Sequence, residues 1–296
     1  MNANSESLDW YAGLTNLDLG IAREELGHGI SLSQTYVHVM AHAMLAFKPP
    51  KPSSPHEGPW VHAPGGFALT VDVQLHIPAT YKRPKTANFA VATRIVGLLR
   101  IWVDPHIRLA FVSHVPFDQL PDESKRANVA ALTMETEPIR ITFNAASDHT
   151  HIELLEWVRQ NWEAALDLAE NNVPFALALD VLESVLFVKN PALALVSIWG
   201  ALEALFTGTK SELRFRVSSL IATYLEPPGT GRAKLQKDAA KLYDSRSAAA
   251  HGSPKHAKGD IADSYDLLRQ AVIKMISEKR VPDNKSLEAM LFGVQV

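Results

Sequence analysis

The chain has 296 residues, 47% of them apolar and 21% charged, a balance that suits one large domain or two and supports a substantial core. A formal net charge of only −3 excludes a molecule that binds nucleic acid through bulk charge. There is no cysteine, which excludes thiol nucleophiles, disulfides and cysteine-ligated zinc and fits a reducing, cytoplasmic setting.

The N-terminus is polar, without a basic start or an apolar stretch, so no secretory signal is expected. Tyr36-Val37-His38-Val39 alternates like a strand. His38 and His42 have the spacing of a helical zinc pair, but no third ligand is evident, and metal binding is not expected. Residues 49–66, rich in Pro, Gly, Ser and His around Trp60, read as a long loop. Residues 71–77 alternate apolar and polar and stop at Pro78, the pattern of a half-buried strand. Residues 86–101 predict a helix, residues 107–112 a second strand after Asp104-Pro105, and residues 139–143 a last strand. Residues 1–148 are therefore expected to form a mixed, strand-rich α/β domain, making the whole chain α+β followed by all-α.

The character changes at Thr150-His151-Ile152-Glu153, which has the pattern of a capping box. Ile152, Leu155, Trp162, Ala165 and Ala169 then recur at helical spacing. Pro174 opens a helix to about 188, and Pro191 opens another over 192–206, closed by Gly208. Thr209-Lys210-Ser211-Glu212 reads as another capping box, starting a helix to 225. Residues 232–251 and 261–278 complete an all-helical bundle of five or six helices, spanning 149–296. The most apolar region, 175–206, is interrupted by Asp180, Glu183, Lys189 and Pro191, so it reads as buried helices and no membrane span is expected. Charge is uneven: from Lys189 onward sixteen Lys/Arg face eleven Asp/Glu, whereas 151–188 carry one Arg against seven acids. Either these are ordinary solvated helix faces, or the C-terminal region meets a polyanion.

Glu226-Pro227-Pro228-Gly229-Thr230-Gly231-Arg232-Ala233 superficially resembles a phosphate-binding loop. Arg232 and Ala233 stand where lysine and a hydroxyl residue are needed, and a helix precedes the segment, so it reads as a helix–helix connection. No Gly-x-Ser-x-Gly elbow is present. Arg246 and His251 remain as a guanidinium for phosphate and an imidazole for proton transfer. Their spacing alone says nothing, since Arg23 and His28 share it and Arg108 and His114 are one residue wider.

Context distinguishes the third pair. Trp199-Gly200-Ala201-Leu202-Glu203-Ala204-Leu205-Phe206, then Ser211-Glu212-x-x-Phe215-Arg216, then Leu242-Tyr243-Asp244-Ser245-Arg246-Ser247 ending in His251-Gly252, occur in that order. This resembles the Apea-like branch of the HEPN superfamily, whose signature of Arg, a small polar residue, three further residues and His is matched by Arg246, Ser247 and His251. Phe47-Lys48-Pro49-Pro50 and Gly58-Pro59-Trp60 are similar to the segment that accompanies this branch. The resemblance implies a HEPN-type helical bundle that homodimerises around a shared cleft. It further implies a metal-independent endoribonuclease without cofactor, in phage defence or toxin–antitoxin systems, with RNA and a protein trigger or antitoxin as partners. Some relatives only bind RNA or nucleotide, or act as scaffolds, and that alternative stays open. Within this reading Arg246 and His251 are catalytic. Ser247, Glu203 and Asp244 support them, Glu203 as an ion-pair partner of Arg246 or Arg216, and Arg214 and Arg216 contact RNA phosphates. Ala248, Ala249 and Ala250 either allow a close approach or simply favour helix.

Overall fold

The computed structural model describes residues 8–46, 61–120, 132–135, 139, 151–207, 212–250 and 258–294, without the side chains of 40–46, 61–67, 132–133, 151–152 and 258. Two units emerge, one from residues 1–81 with 108–136, the other from 82–107 with 137–296. The division is thus not a single cut at 148/149, because the helix of residues 88–102 groups with the later helices.

The first unit is a six-stranded antiparallel sheet, β1 (Trp10–Thr15), β2 (Arg23–Gly27), β3 (Ile30–Ala46), β4 (Val61–Ile77), β5 (Arg108–Ser113) and β6 (Leu132–Thr133), in the order β2-β3-β4-β1-β5-β6. The alternation in 71–77 appears directly as burial: Val71, Val73, Leu75 and Ile77 are fully buried while Asp72, Gln74 and His76 are half-buried. Period-two burial of β-branched and aliphatic residues against one layer is what holds such a strand in register. Gly27-His28-Gly29 turns β2 into β3 with three successive positive φ angles, two of them at glycines, where no Cβ opposes the geometry. Phe117 packs over Gly13, where an added Cβ would meet the ring at 2.8 Å, and its N–H donates to Gln74 at 2.7 Å.

Two expectations change here. Residues 61–66 belong to β4 rather than to a loop, with Pro64, Gly65 and Gly66 beside an irregularity in the β3–β4 register between Ala41 and Ala43. Irregular pairing is where proline and glycine are tolerated within strands. Residues 49–60 lie outside the described residues. Of the strand expected at 139–143, Ile139 has no regular structure and the remainder lies outside the described residues.

The second unit is helical: α1 (Asn88–Trp102), α2 (His151–Asn171), α3 (Val173–Ser184), α4 (Pro191–Phe206), α5 (Leu213–Leu225), α6 (Thr230–Ala250), α7 (Lys258–Ser277) and α8 (Asn284–Leu291). Asn172 and Asn190 accept hydrogen bonds from Phe175 N–H and Ala192 N–H, each at 2.9 Å, so both proline-led helices begin on asparagine caps. α4 buries residues on almost every side, including Leu195, Ile198, Trp199, Leu202 and Phe206, and packs against α3, α5, α6 and α7. It is the central helix of the bundle. α1 is fastened to this unit by charge: Arg83 holds Asp167 and Glu170 of α2, and Arg94 reaches Asp180 at 2.6 Å and Glu183 at 3.0 Å on α3. Arg269 of α7 also donates to the Ile101 carbonyl.

The helical half contains seven described helices after residue 150 rather than five or six. The additional one, α8, is short and starts where Asp283 accepts from Ser286 N–H at 2.7 Å. The capping box expected at 209–212 does not start α5: Glu212 precedes the helix in a left-handed conformation, φ +53°, with no side-chain cap bond. The helix therefore begins three residues later than a Thr209 cap requires, and 208–211 lie outside the described residues, as does Thr150 of the first box. Among the described residues no helix is long and apolar enough to cross a membrane.

Candidate functional site

α6 carries the Arg246 region in its last turns. Five residues along an ideal helix rotate a side chain by about 140°, so an arginine and a histidine at this spacing within one helix would not share a stripe. The helix ends at Ala250, and His251, immediately after it, lies outside the described residues.

Arg246 faces α4. Its Nη2 lies 3.1 Å from Glu203 Oε1 and donates to Oε2 at 3.2 Å, with the two side chains 23% and 20% exposed. Of the two partners anticipated for Glu203, Arg246 is the one observed. The guanidinium carbon lies 5.5 Å from the centre of the Tyr243 ring, within range of cation–π attraction. Arg246 Nε is buried and makes no hydrogen bond to a described residue. Tyr243 is 8% exposed and meets Trp199 of α4 edge to face, centroids 5.3 Å apart at 87°. Trp199 Nε1–H donates to buried Ser264 of α7 at 3.0 Å. Burial raises the Tyr243 hydroxyl above the usual tyrosine range, and the adjacent Glu203 carboxylate adds to the effect. Tyr243, Trp199 and Ser264 were not singled out as site residues from sequence. A signal for the first existed, because positions three apart on a helix are neighbours.

The other candidates lie around this centre. Ser247 is half-buried on α6. Asp244, six residues before the helix end, binds Arg214 of α5 through two hydrogen bonds, Nε to Oδ1 at 2.6 Å and Nη2 to Oδ2 at 2.7 Å, on the exposed surface. This bond lifts the Arg214 guanidinium further above its usual value. Arg216 pairs with Glu288 of α8, not with Glu203. Both arginines expected to meet phosphates thus hold carboxylates of the protein itself. Beside the site, α6 and α7 enclose a cleft of about 370 Å³ whose rim carries Asp238, Asp260, Asp263 and Asp266 against Lys241, with Ser245 in its wall. Four carboxylates and one ammonium repel a polyanion, so a phosphodiester chain is disfavoured in this cleft.

The remaining motifs resolve structurally. The 226–233 segment joins α5 to α6, and Arg232 Nε donates to the Glu226 carbonyl at 2.9 Å, closing the end of α5. His38 sits on β3 and shares a hydrogen bond with Thr70 across the strand pair at 3.2 Å; the side chain of His42 is not described. Among the described residues no group of three His, Cys, Asp or Glu is arranged to hold a metal ion. No family model, curated protein or solved structure matches the chain.

Proposed function

We propose that the helical unit is a metal-independent endoribonuclease of the HEPN type, acting as a homodimer on RNA. The observation that carries the reading is the engagement of Arg246 by Glu203 and Tyr243 in the last turns of α6, directly before His251. A guanidinium anchored at one nitrogen still has donors to offer a phosphate, with planar geometry that lysine does not reproduce.

In this mechanism His251 accepts the proton of a ribose 2′-hydroxyl, and the oxygen attacks the adjacent phosphorus. The P–O5′ bond breaks, and His251 of the partner subunit, in its protonated form, gives a proton to the leaving 5′-oxygen. The products are a 2′,3′-cyclic phosphate and a 5′-hydroxyl. Arg246 neutralises the charge that develops on the non-bridging oxygens, and Ser247 orients the phosphate or His251. Acid–base assistance of this kind contributes about 10²–10⁴ in rate. Arg214 and Arg216 reach RNA phosphates by exchanging their carboxylate partners. A trigger or antitoxin protein acting through the sheet unit fits a setting in phage defence or toxin–antitoxin control.

A second reading is favoured by a specific observation. Arg214 and Arg216 are paired with Asp244 and Glu288, and the neighbouring α6/α7 cleft is acidic, which suits a non-catalytic HEPN module that binds nucleotide or RNA weakly or serves as a scaffold. Incubation of the purified chain with mixed RNA in EDTA, beside His251→Ala and Arg246→Ala, separates the two. Cleavage by the parent chain alone supports the nuclease, and equal inertness of all three proteins supports the scaffold.

A further inference from the structure

An arginine arm samples many rotamers, and fork-like phosphate recognition uses few of them, so something must hold the arm. Two described contacts do so for Arg246. Glu203 takes Nη2, the Tyr243 ring lies under the guanidinium at 5.5 Å, and Tyr243 is placed beside it by the three-residue offset along α6. The ring in turn has little freedom. It is buried, wedged edge-on against Trp199, and Trp199 is pinned by its N–H bond to Ser264. A continuous series of contacts therefore runs from α7 through α4 to the one cation of the motif on α6. The Arg246 side chain as a whole is 23% exposed, with Nε buried and Nη2 held by Glu203.

We propose that Tyr243 is a positioning residue for Arg246, its ring fixing the guanidinium so that the edge turned away from Glu203 receives a phosphate of single-stranded RNA. The inference rests on the nuclease reading above. Tyr243 touches no reacting atom in that mechanism; it acts through Arg246. A phenylalanine preserves the π-face and the contact with Trp199, whereas a leucine fills part of the volume and offers no face.

The test is a double-mutant cycle on the full chain. The probe is a short, fluorescein-labelled, fully 2′-O-methylated single-stranded RNA, which cannot be cut, with binding read by anisotropy in EDTA. Tyr243→Leu is expected to weaken binding about fivefold, and Tyr243→Phe less than about twofold, if cation–π support is what the ring supplies. In the Arg246→Ala background Tyr243→Leu is expected to change nothing further. A loss from Tyr243→Leu that is equal with and without Arg246 marks a merely structural role and overturns the proposal, as does no loss at all. Tyr243→Met, closer in length and also without a ring, runs the same cycle if the leucine variant does not fold. The parent reading fails separately: Arg246→Ala would then bind the probe as well as the unmodified chain.

Discussion

Raising the pH from mildly acidic to neutral should loosen the helical unit, because of one buried carboxyl. Glu183 of α3 keeps only 14% of its side chain exposed, lies 3.0 Å from Arg94 of α1, and approaches Gly97 so closely that a Cβ there would sit 2.3 Å from its Oε1. Burial pushes Glu183 up to about 7, against the pull of Arg94 and Arg100, from an ordinary value of 4.5. Between those two values the folded chain binds more protons than the unfolded chain. The contribution of this carboxyl to stability is then fully present below the ordinary glutamate range and is lost as pH rises toward neutrality. At about 1.4 kcal/mol for each tenfold change in proton affinity, the ceiling of this effect is about 3 kcal/mol. Urea unfolding followed by far-UV circular dichroism from about pH 5 to about pH 8 measures it. Glu183→Gln keeps an oxygen for Arg94 and cannot ionise, so the variant should gain on the parent chain across that range. Parallel pH curves for the two proteins would refute the reasoning, since all other titrating groups are common to both.

Two further outcomes are expected. Gly97→Ala should lower the urea midpoint, because overpacking against Glu183 costs about 1–3 kcal/mol, whereas Gly200→Ala on α4, with nothing within 4 Å of its added Cβ, should not; equal midpoints would remove the close α1–α3 approach. Arg214→Gln should leave thermal unfolding unchanged, since its partner Asp244 is as exposed as it is, while reducing the salt slope of RNA binding by about one if Arg214 exchanges to phosphate. An unchanged slope would keep Arg214 as a surface ion pair.

The elements most legible in the sequence are those whose own pattern determines them. The 71–77 alternation became burial residue by residue, and the asparagine–proline starts of α3 and α4 are local chemistry visible in four or five residues. What escaped depends on distant partners. β1 and β2 owe their pairing to β4, β5 and β3, and residues 61–66 are strand only because β3 lies opposite. The grouping of α1 with the later helices involves Arg83, Arg94 and Arg269, and the stacking of Trp102 on Trp157, with partners between about 50 and 170 residues away in sequence. At the site, Glu203 beside Arg246 was one of two readable possibilities, and packing selected it. The pairing of Arg214 with Asp244 and of Arg216 with Glu288 was not readable, because α5, α6 and α8 must first pack for those charges to meet.

The most direct measurement is the chemistry of RNA ends produced in the presence of EDTA by the parent chain, His251→Ala and Arg246→Ala. The parent chain is expected to yield 2′,3′-cyclic phosphate and 5′-hydroxyl termini, and both variants to yield none while unfolding at similar temperatures. Cleavage that survives His251→Ala, or termini bearing a 5′-phosphate, would contradict in-line attack by the 2′-oxygen with an imidazole as its base.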